Sequence, residues 1–562
     1  MDNQRLLLYM ALGFVSLILY QTWMQDYHMP APVASQTGTA TSGSADGAVS
    51  NVPTGVDLPD SVVPGTSTVA AAPAVVDATI SAPSVSVKTD VMDVEISTNG
   101  ATITSVLLTD YSVSIEQPDV PFTLMSNKPG RFLVAQSGLF NADNSTAPVP
   151  THETVMSVEA TSYDIGDNDK LVVPFVWKSD DGKTVTKTLT FTAGSYEVLV
   201  DYVIDNASES PWTVSQYKQL KRKPDTKDEK QQFVNTYIGA VVSNAEDRYN
   251  KVSFGDMEDE KLNVPVTNGW IAMIQHYFAT AWVPTPDEVN TAYTRYLPSE
   301  NRYLIGMMSE AKTIAPGTQG TFSTKAFFGP KIQDKLKEVG PHLELTVDYG
   351  WLTIIAQPLF WLLKTIHGFV GNWGWAIILS TCVIKAVFYK LSEASYRSMA
   401  KMKKLQPKLA ELKERYGDDR AKMGQATMEL YKKEKANPLG GCLPMIIQMP
   451  VFIALYWTLL ESVELRQAPW MFHIKDLAIR DPYFILPVLM AASMYIQQKL
   501  NPAPVDPIQA KVFQFLPLIF GVFFAMFPAG LVLYWVVNNI LTILQQYYIT
   551  KKVLGDDFKV MS

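Results

Sequence analysis

Residues 373–391 read WGWAIILSTCVIKAVFYKL, with Lys385 near the middle and Lys390 near the end. At about 1.5 Å per residue, a helix of this length matches a bilayer hydrocarbon core of roughly 30 Å. A lysine at the centre of such a span costs roughly 2.5–3.5 kcal/mol. Lys390 lies close enough to the surface to snorkel; Lys385 is some 8 Å deeper at about 1.5 Å per residue. Two readings stay open. Either the Lys385 chain stretches to the interface, or its charge sits in a water-filled concavity within a helical bundle. Thr381, Lys385 and Ser392, at i, i+4 and i+11, share one helix face on this reading, which favours a wet interior.

Four more apolar runs follow, at 443–460, 483–500, 512–526 and 531–549. The last two are separated only by Phe527-Pro528-Ala529-Gly530, a tight turn. Gln448 and Gln497 add amides, and Tyr534, Asn538, Thr542 and Gln545 form a polar stripe on the final run. Such groups also serve as interhelical glue, at about 0.6 kcal/mol each. A bundle with polar spots but one central charge fits a hydrated groove better than a proton relay.

Upstream, residues 6–24 form a further apolar run behind Arg5. Trp23-Met24-Gln25-Asp26 lacks the small residues of a cleavage site, so an uncleaved anchor over 1–24 is expected rather than a signal peptide. Residues 25–84, rich in Ala, Ser, Thr, Gly, Pro and Val, read as a flexible linker. Over 85–340 the period changes to two: Tyr196, Val198, Val200, Tyr202 and Ile204 alternate with Glu197, Asp201 and Asp205. A strand carrying Val185, Leu189 and Phe191 precedes them across Ala193-Gly194-Ser195. Val91 to Ser97 alternates likewise and ends at Asn99-Gly100. A large antiparallel β-sandwich domain is expected, followed by a short helix at 331–339. Residues 346–371 carry Gln357, Pro358, Lys364 and His367 among apolar residues, with Trp351 and Trp361 as anchors. They read as an amphipathic helix lying in the membrane interface.

Charge separates the parts. Residues 25–345 hold 23 of the 47 Lys+Arg and 39 of the 55 Asp+Glu, a net of −16; the remainder carries +8, giving −8 overall. The loop 394–440 holds 12 Lys+Arg against three in 461–482. The positive-inside rule therefore puts 394–440 in the cytoplasm. Counting spans then places the β domain outside and both termini, with the tail 550–562, inside: six spans in all, five of them in a core at 373–549. The loop itself reads as a helical hairpin. Met402, Leu405, Leu409 and Leu412 form one arm, Tyr416 to Asp419 break it, and Met423, Met428, Leu430 and Tyr431 form the other. Arg397, Lys401, Lys404, Lys408, Lys413 and Arg415 give it a basic outer face. That face is either a solvated topology signal or a docking arm.

Cys382 and Cys442 both fall in or beside apolar runs, which excludes a disulfide framework or a cysteine-rich metal site. His152, His276 and His342 show no ligand or catalytic spacing. There is no P-loop, so no cofactor, metal or nucleotide is expected, and nothing suggests DNA binding.

Particular segments resemble the YidC/Oxa/Alb family of membrane insertases. They are NPLGGCLPMIIQMPVFIALY at 437–456, VELRQAP at 463–469 and FPAGLVLY at 527–534, with TVDYGW at 346–351 and GNWG at 371–374. The order of anchor, tether, external β domain, interfacial helix and five-span core resembles the form found in two-membrane bacteria over nearly the whole chain. The resemblance implies a non-enzymatic insertase and chaperone of the inner membrane. Nascent membrane proteins would enter a positively charged groove open to cytoplasm and lipid and closed to the outside. It also implies partners: the Sec translocon with its accessory subunits, the ribosome and signal-recognition machinery, and membrane lipids. The groove would be lined by Lys385, Thr381, Gln448, Met449, Phe452, Tyr534, Trp535 and Asn538. Close relatives carry an arginine where this chain has Lys385, which keeps the charge but loses the bidentate fork. Lys390 stands where proline is usual, and Trp535 where tyrosine is common. The external domain is similar to mutarotase-like sandwiches, a likeness that carries no chemistry.

Two rival classes remain at this stage. A solute transporter would show repeat symmetry and several ionisable intramembrane groups, neither of which is visible. A membrane-anchored glycan-acting protein would need a motif in the β domain, which its histidines do not supply.

Overall fold

In the computed structural model, the described residues are 83–143, 145, 147–224, 236–417, 419–434, 443–501 and 507–554. The expected anchor at 1–24, the linker up to residue 82, the hairpin's far end and the tail beyond 554 lie outside them. Among described residues the chain forms two compact units. One runs to Asp348 and includes Glu461–Glu464; the other comprises Tyr349–Leu460 and the chain from Leu465 onward.

The first unit is a β-sandwich of an eleven-stranded and a nine-stranded sheet among the described residues. The hairpin read from the sequence is there: Lys183–Thr192 pairs antiparallel with Glu197–Asn206, in a register setting Val198 against Phe191 and Ile204 against Val185. Gly194, at φ 70°, makes the turn. Val198, Val200, Tyr202 and Ile204 are all buried, so the two-residue period does mark the face turned toward the opposite sheet. Antiparallel pairing was expected throughout, but Ser84–Lys88 lies parallel to Ser162–Asp164. Gly100 (φ 57°) admits no side chain, since a Cβ there would stand 2.2 Å from the Cα of His152.

Between the sheets lies a polar seam that hydropathy did not show. Lys187, on the inward face of its strand, donates to Gly100 O at 2.7 Å and Ala101 O at 3.1 Å. The Tyr202 and Ser137 hydroxyls meet at 2.9 Å, and the Tyr217 hydroxyl lies 2.7 Å from His152 Nδ1. Burial pushes the Lys187 ammonium down to about 7. A short helix α1, Phe254–Asp259, carries a Ser253 capping box, and α2, Gln333–Val339, falls where a helix was expected.

The second unit is helical: α3 Thr353–Val370, α4 Trp373–Val387, α5 Tyr389–Lys404, α6 Gln406–Tyr416, α7 Arg420–Lys433, α8 Leu443–Glu461, α9 Ile485–Leu500, α10 Pro507–Phe524 and α11 Ala529–Leu554. Among the described residues, the apolar runs from 373 onward fall on helices. α11 packs against α4, α5 and α9, around a core including Leu455, Leu459, Met490 and Leu531 to Tyr534.

One segment fits two readings, and one helix is divided. The segment Gly350–Val370, read as interfacial, is the one unbroken helix among the described residues with the length and hydropathy of a membrane span. It leaves Trp351, Ile354, Trp361 and Phe369 exposed and buries Ala356, Phe360 and Leu363. The run 373–391 is not one straight helix either: α4 and α5 meet at 69°. Phe388 sits at φ −88°, ψ 8°, outside the helical well, amid the β-branched Val387 and aromatic Tyr389, which crowd a helical turn. Lys385 thus lies in the last turn of α4, just before the bend. Ser392 stands beyond the bend, so the three-residue face with Thr381 is divided.

The basic segment is likewise three helices, α5 and α6 meeting at Leu405. α6 and α7 run antiparallel, the start of one tied to the end of the other by Lys408 Nζ and Glu434 Oε1 at 2.6 Å. Asp419 caps α7 by accepting from Lys422 N at 3.1 Å.

Candidate functional site

Lys385 is the natural starting point, because a cation amid apolar helices needs acceptors. Its residue is 9% exposed, and Nζ donates to Thr542 Oγ1 on α11 at 2.8 Å. Among the described residues no carboxylate pairs with it. The Thr542 hydroxyl in turn donates to Asn538 O at 2.7 Å, and Asn538 Oδ1 accepts from Gln448 Nε2 of α8, also at 2.7 Å. One polar line therefore joins α4, α11 and α8.

An aromatic group borders this line. Phe452 stacks on Tyr534 at 6.1 Å and meets Trp535 edge-on at 4.4 Å, while Trp535 also lies 4.9 Å from Phe524. Of the residues expected to line a groove, Lys385, Gln448, Phe452, Tyr534, Trp535 and Asn538 are brought together by these contacts. Thr381 is not, for it is buried and donates back to Ile377 O of its own helix. Met449 is exposed, with no described contact to the polar line.

A second polar face of α11 points toward α9. Asn539 donates to Ser493 Oγ at 3.1 Å, and Gln546 to Asn501 Oδ1 at 2.9 Å, fastening α11 to α9. The signal was present in Asn538-Asn539 and Gln545-Gln546, because adjacent amides on a helix necessarily point about 100° apart.

At the opposite end of α4, roughly 20 Å from Lys385 at 1.5 Å per residue, the segment from Leu465 to Asp481 folds across the helix ends. Asn372 donates to Pro469 O at 3.0 Å while capping Trp375 N at 3.1 Å. Ala529 N donates to Ile479 O at 2.7 Å and Gly530 N to Leu477 O at 2.9 Å. Asp481 accepts from Leu486 N at 2.8 Å and Tyr483 N at 3.0 Å, with His473 Nε2 also 3.0 Å away. One end of the bundle is stitched; the cation lies toward the other.

The six expected hairpin residues are all exposed. They are not equivalent. Arg397 is engaged by Glu393 through two contacts, at 2.6 and 3.0 Å, and Lys408 by Glu434. Lys401, Lys404, Lys413 and Arg415 complete the basic surface.

The chain matches two family models, the YidC periplasmic domain over residues 84–362 and the 60Kd inner membrane protein over residues 365–556. Membrane protein insertase YidC of Thioalkalivibrio sulfidiphilus is 49% identical, over 98% of this chain and 99% of its own length. The protein of the same name from Nitrosococcus oceani is 48% identical with the same coverage. A crystal structure of an active YidC insertase, 17% identical, overlays 83% of this chain and 93% of its own at a TM-score of 0.37, too low to carry weight beside the sequence match. These relatives give no support to a transporter or a glycan-acting protein. On the strength of full-length identity and both family models, the chain belongs to the YidC family of membrane protein insertases.

Proposed function

We propose that this insertase receives client segments in a groove bordered by α4, α8 and α11, with Lys385 as its electrostatic centre. A client's apolar segment slides along the exposed apolar faces of the helices, and burial in lipid drives it, at about 25 cal/mol per Å². Its short hydrophilic flank passes the Gln448–Asn538–Thr542 line, where Lys385 attracts acidic residues. The carrying observation is that Lys385 Nζ, with three donors to offer, has one described protein acceptor. The remaining donors suit water or a client carboxylate. The work is not enzymatic and uses no cofactor.

The same reading places the chain in the bacterial inner membrane, with the β domain periplasmic and the termini and α6–α7 cytoplasmic. Six spans with α3 interfacial satisfy the charge of every loop; the span-like character of Gly350–Val370 is accommodated as a deeply seated interfacial helix whose exposed tryptophans anchor it. The basic α6–α7 hairpin would dock the ribosome or the signal-recognition machinery, and clients would also be shared with the Sec translocon.

The test uses Lys385→Ala and Lys385→Arg in reconstituted vesicles, with a two-span client bearing an acidic flank. Arginine retains insertion and alanine loses most of it. Equal insertion by wild type and both variants removes the electrostatic role.

A further inference from the structure

We infer that Thr542 is a positioning residue for Lys385, holding the ammonium in one place without neutralising it. This rests on the groove reading above and assigns the residue that makes a lysine workable there.

Hydrogen-bond capacity decides the role. A threonine hydroxyl has one proton to give and two lone pairs. Thr542 gives its proton to Asn538 O, one helical turn back, at 2.7 Å. With its proton committed, the oxygen acts toward Lys385 only as an acceptor, and it is 2.8 Å from Nζ. Thr542 is itself 5% exposed, so the acceptor is fixed by packing as well as by its own bond. A carboxylate at this place would hold the ammonium too, but would cancel its charge. A neutral acceptor leaves the full positive charge and two donors available.

Lysine requires such a device more than arginine does. Its four-carbon stem is flexible and its head is a compact point charge, whereas a guanidinium is a planar fork with five donors. The backbone carbonyl of Asn538 sets the Thr542 hydroxyl, and Gln448 binds the Asn538 side chain at 2.7 Å. The ammonium is therefore located relative to α11 and α8 as well as α4.

The experiment uses the full-length chain in proteoliposomes, with paired two-span clients whose flanks are either acidic or neutral. Thr542→Val, which keeps shape but removes the acceptor, lowers insertion of the acidic-flank client about three- to tenfold, the scale of one lost hydrogen bond. The neutral-flank client loses much less. Thr542→Ser restores the loss, and Thr542→Asp, which neutralises the ammonium, lowers acidic-flank insertion at least as far as valine does. Lys385→Ala is run alongside. If it is impaired and Thr542→Val is not, the positioning role is overturned while the groove reading stands. If Thr542→Val lowers both clients equally, or serine fails to rescue, Thr542 is a packing residue only. If Lys385→Ala inserts the acidic client as well as wild type, the groove reading falls and this inference with it.

Discussion

Trp470 occupies the space in which a side chain at position 374 would begin: a Cβ on Gly374 would stand 2.0 Å from the indole Cδ1. The indole also meets Trp375 edge-on at 6.3 Å, and its backbone carbonyl accepts from Asn372. The glycine at the second residue of α4 thus serves an element nearly a hundred positions later, the segment folded across the stitched end. Replacing Gly374 with alanine forces that indole out and costs about 1–3 kcal/mol. Thermal unfolding in detergent measures the loss. Combining it with Trp470→Ala gives less than the summed cost, because the clash then has no partner; strict additivity would show that the two positions do not press on each other.

Asp481 carries the stitched end by another route. Its buried carboxylate accepts from two backbone amides and stands beside His473. Asp481→Asn keeps the shape and removes the charge, so we expect a loss of about 1.5–3 kcal/mol, the scale of hydrogen bonds to a charged acceptor. Hydrogen exchange should show the loosening first at Tyr483 and Leu486. Unchanged protection at both amides would mean the carboxylate does not hold them.

Lys187 makes the β unit sensitive to pH. Its ammonium is pushed down to about 7 from an ordinary 10.5 by burial. Between those values the unfolded chain binds the proton and the folded chain does not, so stability rises with pH across that window. It is fully gained above about 10.5 and lost as pH falls through about 7. Lys187→Met removes this dependence and leaves Gly100 O and Ala101 O without their donor. Denaturant unfolding of the β unit within the full-length chain, followed between pH 7 and 10, checks both the slope and its disappearance.

The basic hairpin yields a prediction about rank order. Reversing Lys401 and Arg415 to glutamate reduces co-sedimentation with ribosomes several-fold at about 0.1 M salt, with the salt dependence flattened. Arg397→Ala changes it little, since Glu393 already engages that guanidinium. A larger effect at Arg397 than at Lys401 and Arg415 together would overturn this rank order.

Much of this was legible because it is periodic. Alternation over 183–206 yielded the hairpin and its turn, and the apolar runs from 373 onward fell on helices, the first of them divided by a bend. Motif likeness did more still, gathering Lys385, Gln448, Phe452, Tyr534, Trp535 and Asn538 before any coordinates. What pattern did not reach has physical reasons. Hydropathy turns a lysine outward, yet Lys187 faces inward because the carbonyls of the Gly100-Ala101 turn receive it. The bend at Phe388 has neither proline nor glycine to announce it. Thr542 was visible as one polar residue in a stripe, but its pairing with Lys385 spans 157 positions and depends on how two helices pack. Thr381, by contrast, looked like a neighbour of Lys385 and spends its hydroxyl on its own helix.

The turn after Val387 has one more effect. It sets the C-terminal end of α4 against the N-terminal start of α5, so partial charges of opposite sign meet there and largely offset one another. On the groove reading, a client carboxylate therefore feels the ammonium's own field, little altered by the backbone around it.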